Sequence, residues 1–163
     1  MGRAGIAALT LALAGVLATA AAGAGAAVTV AEASKRFKAA SGFALVKKAR
    51  ASYPGHYAAL DTGAPSITKS ARFGTFTLFV VTGPDVAGEV RELLADTHTG
   101  ALGRPDARGI HWEPGRTLSG TRYWLAKKRY GANLVLWWYG PAVRKTDAAF
   151  ARLHGVLRKS VVG

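Results

Sequence analysis

The chain has no cysteine. That excludes a disulfide framework, thiol catalysis, thiolate metal ligation and lipidation at a cysteine. Acidic residues are scarce as well: nine Asp and Glu stand against 22 Lys and Arg, for a net charge of +13 over 163 residues. A glycoside hydrolase built on two carboxylates facing one cleft finds little to work with. Four of the nine acids, Asp85, Glu89, Glu92 and Asp96, fall in one short segment. No G-x-S-x-G, P-loop, H-E-x-x-H or G-x-G-x-x-G occurs, which removes the enzyme classes those motifs mark. A triad assembled only in three dimensions leaves no such trace. No internal repeat is visible.

Charge is missing altogether from Ala4 to Ala31. The front of that run, IAALTLALAGVLATA, is apolar; the back, AAGAGAA, is small residues. One Arg, an apolar stretch and an A-x-A site form the layout of a secretory signal peptide. Residues 1–26 are read as that signal, with Ala24-Gly25-Ala26 as the cleavage site and Ala31-Glu32-Ala33 as a later alternative. An uncleaved anchor is the competing reading, because the run is long enough to span a bilayer. Either way Arg3 at the front puts the rest outside the cytoplasm, secreted or in the cell envelope. Residues 34–163 are read as a single domain, large enough to bury a core without staples.

The mature part carries +12 once Arg3 is removed from the +13. From Arg104 to Gly163 twelve Lys and Arg face Asp106, Glu113 and Asp147, a net of +9; from Ser34 to Arg72 eight face Asp61, a net of +7. Such a surface attracts an anionic polymer or an anionic membrane surface. Outside a cell, envelope polymers are nearer partners than nucleic acid. A composition rich in Arg, Ala and Gly also drifts basic without any function. Nothing in the sequence fixes the oligomeric state.

Residues 31–42 read as a short helix ended by Gly42, with Phe37 as its anchor and Ala33, Ala40 and Ser41 beside it. Residues 43–51 lean to strand, and 52–70 are loop-rich with a short strand near Tyr57–Leu60. RFGTFTLFVVTG, 72–83, is β-branched and aromatic and stops at Gly83-Pro84, the strongest strand signal in the chain. PDVAGEVRELLADT, 84–97, is the strongest helix, with Val86, Val90, Leu93, Leu94 and Thr97 in one stripe. IHWEP reads as a short strand closed by Pro114. TRYWLAKKRY and NLVLWWY read as two strands of a hairpin around Gly131-Ala132. TDAAFARLHGVLRKSVV is a helix with Thr146 as N-cap. The expected fold is α+β: one small domain with a mostly antiparallel sheet packed by two or three helices, plus one possible right-handed crossover.

On NLVLWWY, Leu134, Leu136 and Trp138 share an apolar face, while Asn133, Val135, Trp137 and Tyr139 share a wetter one. The expectation is that the first face meets the helices. Trp137 is then either covered on a central strand or part of an exposed aromatic platform beside cations. A two- or four-residue loop would pair Ala126 with Trp137; a three-residue loop would pair Lys127 with Trp137. Both put Lys127, Lys128 and Arg129 near the hairpin tip, where they would reach water. Trp137, Tyr139, Lys127, Lys128 and Arg129 are therefore the candidate binding residues, suited to stacking rings and pairing with anions. Edge-strand lysines that discourage aggregation have the same look.

Catalytic candidates are thin. His111 and Glu113 are two apart on a strand and share a face, a spacing that can pair an acid with a base. A catalytic zinc would need a third protein ligand that nothing nearby supplies. No metal and no cofactor are expected. His56 sits in a turn, Asp96 and His98 read as loop, and His154 lies beside Leu153 on a partly buried helix face. The sequence points to an exported binding or accessory domain with an anionic partner. The alternatives are a small secreted hydrolase-like enzyme using His111 and Glu113, and a protein-interaction module using the acidic helix 84–97.

Overall fold

The computed structural model describes residues 26–48, 56–63, 72–96, 103–141 and 148–162. Residues 1–25, which hold nearly all of the expected signal peptide, and Thr97, His98, Thr146 and Asp147 lie outside them. No helix among the described residues is long and apolar enough to cross a membrane.

Among the described residues these helices and strands follow in chain order: α1 (Val30–Ser41), β1 (Val46–Lys47), β2 (Tyr57–Asp61), β3 (Thr75–Val81), α2 (Val86–Ala95), β4 (His111–Arg116), β5 (Arg122–Tyr130), β6 (Leu134–Pro141) and α3 (Ala148–Val162). Local chemistry explains the helix ends. Thr29 caps α1 by accepting from the Glu32 N–H, and Gly42 closes it in the left-handed region at φ 79°, where a side chain would be strained. Asp85 caps α2 through its side chain, which accepts from the Gly88 N–H at 2.9 Å.

The strands make one sheet in the order β1-β2-β3-β6-β5-β4, and every neighbouring pair is antiparallel. The fold class is therefore the expected small α+β domain. The possible right-handed crossover gives no parallel pairing among the described strands: after central β3 and α2, the next described strand, β4, lies at the far edge. The short strand expected to close at Pro114 runs through it to Arg116. An edge strand tolerates proline because one side of its backbone needs no partner.

Helices cover both faces. Phe37 of α1 and Phe150, Leu153 and Leu157 of α3 pack with Phe76, Leu78, Val80, Leu134, Leu136 and Trp138. Val90 and Leu93 of α2 pack with Phe79, Val81, Leu125, Val135 and Trp137 on the opposite face. The reason is a count of apolar stripes. Two helices fill one face of a narrow sheet, and a third amphipathic helix must bury its stripe on the other. Trp137 and Trp138 are consequently both about 1 % exposed. Each indole N–H finds a carbonyl, Trp137 at Leu93 (3.0 Å) and Trp138 at Phe73 (2.9 Å), so neither buried polar group is orphaned. Gly74 and Gly140 flank the Trp138 ring; a Cβ on Gly74 would lie 2.6 Å from its Nε1, and one on Gly140 would overlap the ring.

The hairpin loop is three residues long, with Tyr130 opposite Leu134 and Lys127 opposite Trp137. Asn133 belongs to that loop and acts as a clasp. Its side chain donates to the Val28 and Val81 carbonyls and accepts from the Val28 N–H, at 2.8–2.9 Å. The segment entering α1 is thus tied to the centre of the sheet.

Candidate functional site

The five residues expected to form one binding surface are divided among four environments. Lys127 and Trp137 are buried under α2, so the exposed aromatic platform does not exist. The three-residue loop turns Lys127 inward, and its Nζ sits 4.4 Å from the centroid of the Trp137 ring and 3.4 Å from Glu113 Oε2. Burial pulls the Lys127 ammonium below its usual range, and the Glu113 carboxylate opposes that shift. Tyr139 is half-buried and packs against Tyr123. Arg129 is exposed and folds back onto the hairpin, donating to the Gly131 and Ala132 carbonyls.

Lys128 alone points to the other face, and it leads to a group the sequence reading did not assemble. Its Nζ donates to the Arg108 carbonyl and lies 5.7 Å from the centroid of the Tyr130 ring. The Tyr130 hydroxyl is 2.6 Å from Nδ1 of His154, whose ring stacks on Phe150 at an interplanar angle of 7°. Arg158 follows His154 by four residues on α3, on the same side of the helix. The loop before β4 supplies Arg108, held by Asp106. That carboxylate accepts from the N–H groups of Arg108 and Ile110 and from Nε1 of Trp112, and pairs with the Arg108 guanidinium at 3.1 Å. Partial burial pushes Asp106 up, but these hydrogen bonds outweigh it and hold its pKa at about 2.

The cations act on one another. Lys128 is lowered first by burial and then by Arg108 and Arg158, with Asp106 opposing. His154 is lowered first by burial and then by Lys128, Arg158 and Arg108, again with Asp106 opposing. Burial raises Tyr130, so its phenol stays protonated. A signal for this site is present in the sequence: Lys128 and Tyr130 share a strand face, and His154 and Arg158 share a helix face.

The catalytic candidates are placed as follows. Glu113 is buried with Lys127 as its ion-pair partner, whereas half-buried His111 has Nδ1 3.0 Å from the Gly103 carbonyl. Their shared face therefore leads each to a different neighbour. Among the described residues no cluster of His, Asp and Glu could hold a metal ion. In the acidic helix, Asp85 is spent on capping and Glu89 on the His56 N–H and ring, which leaves Glu92 and Asp96 exposed.

No protein-family model, curated protein or solved structure matches this chain. Its function has to be argued from its own residues.

Proposed function

We propose that this is an exported domain that binds an anionic partner of the cell envelope or its surroundings through exposed cations. The observation that carries this reading is how the charges are used. Among the described residues five acids are engaged in the pairs Glu32–Arg36, Asp61–Lys48, Glu89–His56, Asp106–Arg108 and Glu113–Lys127, and Asp85 caps α2. Cations meanwhile face solvent on α1 (Lys35, Lys38), β1 (Lys47), the ends of β4 and β5 (Arg116, Arg122, Arg129) and α3 (Arg158, Lys159). The field outside the protein is positive, and polyanions release counterions when they meet it.

A short DNA duplex, used only as a polyanion of known charge spacing, provides the test. Its affinity should fall steeply with salt, with a log–log slope of about −0.9 per phosphate neutralised. A slope near zero, or no binding at low salt, would remove the reading. Anionic vesicles in a parallel titration distinguish a membrane surface from a soluble polymer.

Export yields a separate expectation. Cleavage after Ala26 leaves Val28 on the Asn133 clasp and Thr29 as the α1 cap. Cleavage at Ala31-Glu32-Ala33 would delete both and cut into the first turn of α1. The mature N-terminus should therefore lie before Val28, which intact-mass analysis of the exported protein reads directly. A species starting at Ser34 would contradict this, and one retaining Met1 would indicate the anchor.

A further inference from the structure

We propose that the corner formed by Lys128 and Tyr130 of β5, His154 and Arg158 of α3 and the Arg108 loop binds a tetrahedral dianion of the class of a terminal phosphate. The inference deepens the anionic-partner reading and rests on it for its biological sense. Three observations carry it.

The first is local charge. The charged groups acting on this corner are Arg108, Lys128 and Arg158 against Asp106, and the same four act on His154. Three cations less one carboxylate leave +2. A terminal phosphate carries close to −2 at neutral pH, whereas a phosphodiester or a carboxylate carries −1. The dianion matches that charge more closely than either monoanion.

The second is construction. The Asp106 carboxylate fastens the turn through the N–H groups of Arg108 and Ile110 and Nε1 of Trp112, at 2.9–3.1 Å, and Lys128 donates to the Arg108 carbonyl. Arg108 and Arg158 are exposed, and Lys128 and His154 are half-buried, so charge-bearing groups remain open to a ligand. Preorganised donors lose less entropy on binding than free surface lysines.

The third is hydrogen-bond polarity. Burial keeps the Tyr130 phenol protonated, and its hydroxyl lies 2.6 Å from Nδ1 of His154, placed to donate to that nitrogen when the ring is uncharged. The imidazole proton is then on Nε2, which makes His154 a donor even when uncharged. Burial first, and then the surrounding cations, lower the His154 pKa and so favour the uncharged ring. A bound dianion offsets them and favours imidazolium, so binding draws in a proton.

The experiment is calorimetric titration of the full mature chain at low ionic strength with sulfate, whose charge does not change over the range used, and then with inorganic phosphate and glycerol phosphate. Sulfate should bind more tightly as pH falls from about 8 to about 5, with proton uptake. His154→Gln should abolish that pH dependence. Lys128→Gln and Arg158→Gln, which retain polar donors, should each weaken binding roughly tenfold, the loss expected for one charge-assisted hydrogen bond. Phosphate and glycerol phosphate should bind, and acetate or a dinucleotide phosphodiester should bind far more weakly. The His154 ring proton resonances of the unmodified protein should shift with sulfate, a readout independent of any variant. Unchanged affinity in the double variant Lys128→Gln/Arg158→Gln, or a sulfate affinity flat with pH, would overturn the proposal. If these small anions fail while the DNA duplex still binds with a steep salt slope, the site is wrong and the broader function stands. If they bind and the duplex does not, the polymer reading fails and the site stands.

Discussion

Lys127→Ala should destabilise the domain by about 3–5 kcal/mol, because it leaves the Glu113 carboxylate buried without its counter-ion. Lys127 has no exposed surface and Glu113 only 2 %. Neither charge can turn to water to escape. Attraction between the two offsets their desolvation only while both are present, and the Trp137 ring face adds a cation–π contribution. The double replacement Lys127→Met/Glu113→Leu should behave in the opposite way, close to the starting stability or above it, since apolar side chains of similar volume fill the space without a desolvation cost. Urea unfolding of Lys127→Met, Glu113→Leu and the double variant resolves this. Two single losses that simply add in the double variant would show that the charges do not interact.

Trp137→Ala should cost a similar amount, about 3–5 kcal/mol. The indole is enclosed between α2 and the sheet, packs edge-on against Phe79 at a centroid distance of 5.1 Å, and donates to the Leu93 carbonyl. Its removal opens a cavity, orphans that carbonyl and withdraws the ring from Lys127. Anion binding by the fraction that remains folded should be unaffected. This pattern is the reverse of what a stacking platform would give, in which about 1–3 kcal/mol of binding is lost and stability is kept. A Trp137→Ala protein that melts normally but binds polyanions poorly would return the ring to the surface.

The elements with a strong period or a sharp punctuation are legible without coordinates. The β-branched run of β3, the stripe of α2 and the Gly42 stop of α1 come through because each is decided by neighbours in sequence. The purely apolar face of β6, with Trp138, meets α1 and α3 as its pattern implies. What fails to come through is decided at a distance. The residues Gly131 and Ala132 allow loops of different length, and one residue of register moves Lys127 from one face to the other. The clasp at Asn133 depends on Val28 and Val81, far away in the chain. A lysine beside two cationic neighbours reads as solvent-facing because lysines are almost never fully buried unless paired, and the pairing partner Glu113 lies on a different strand. Tyr130 and His154 are ordinary on their own strand and helix; they gain meaning only when α3 lies across β5.

One measurement bears on the central claim most directly: the salt dependence of polyanion binding by the triple charge reversal Lys128→Glu/Arg129→Glu/Arg158→Glu, taken together with its melting temperature. Arg129 and Arg158 are exposed, where charges contribute little to folding, and Lys128 is half-buried with one hydrogen bond to the Arg108 carbonyl. The account predicts a nearly unchanged Tm with most of the binding lost and a markedly shallower log–log slope. Full binding and an unchanged slope in a variant that melts like the parent would contradict it.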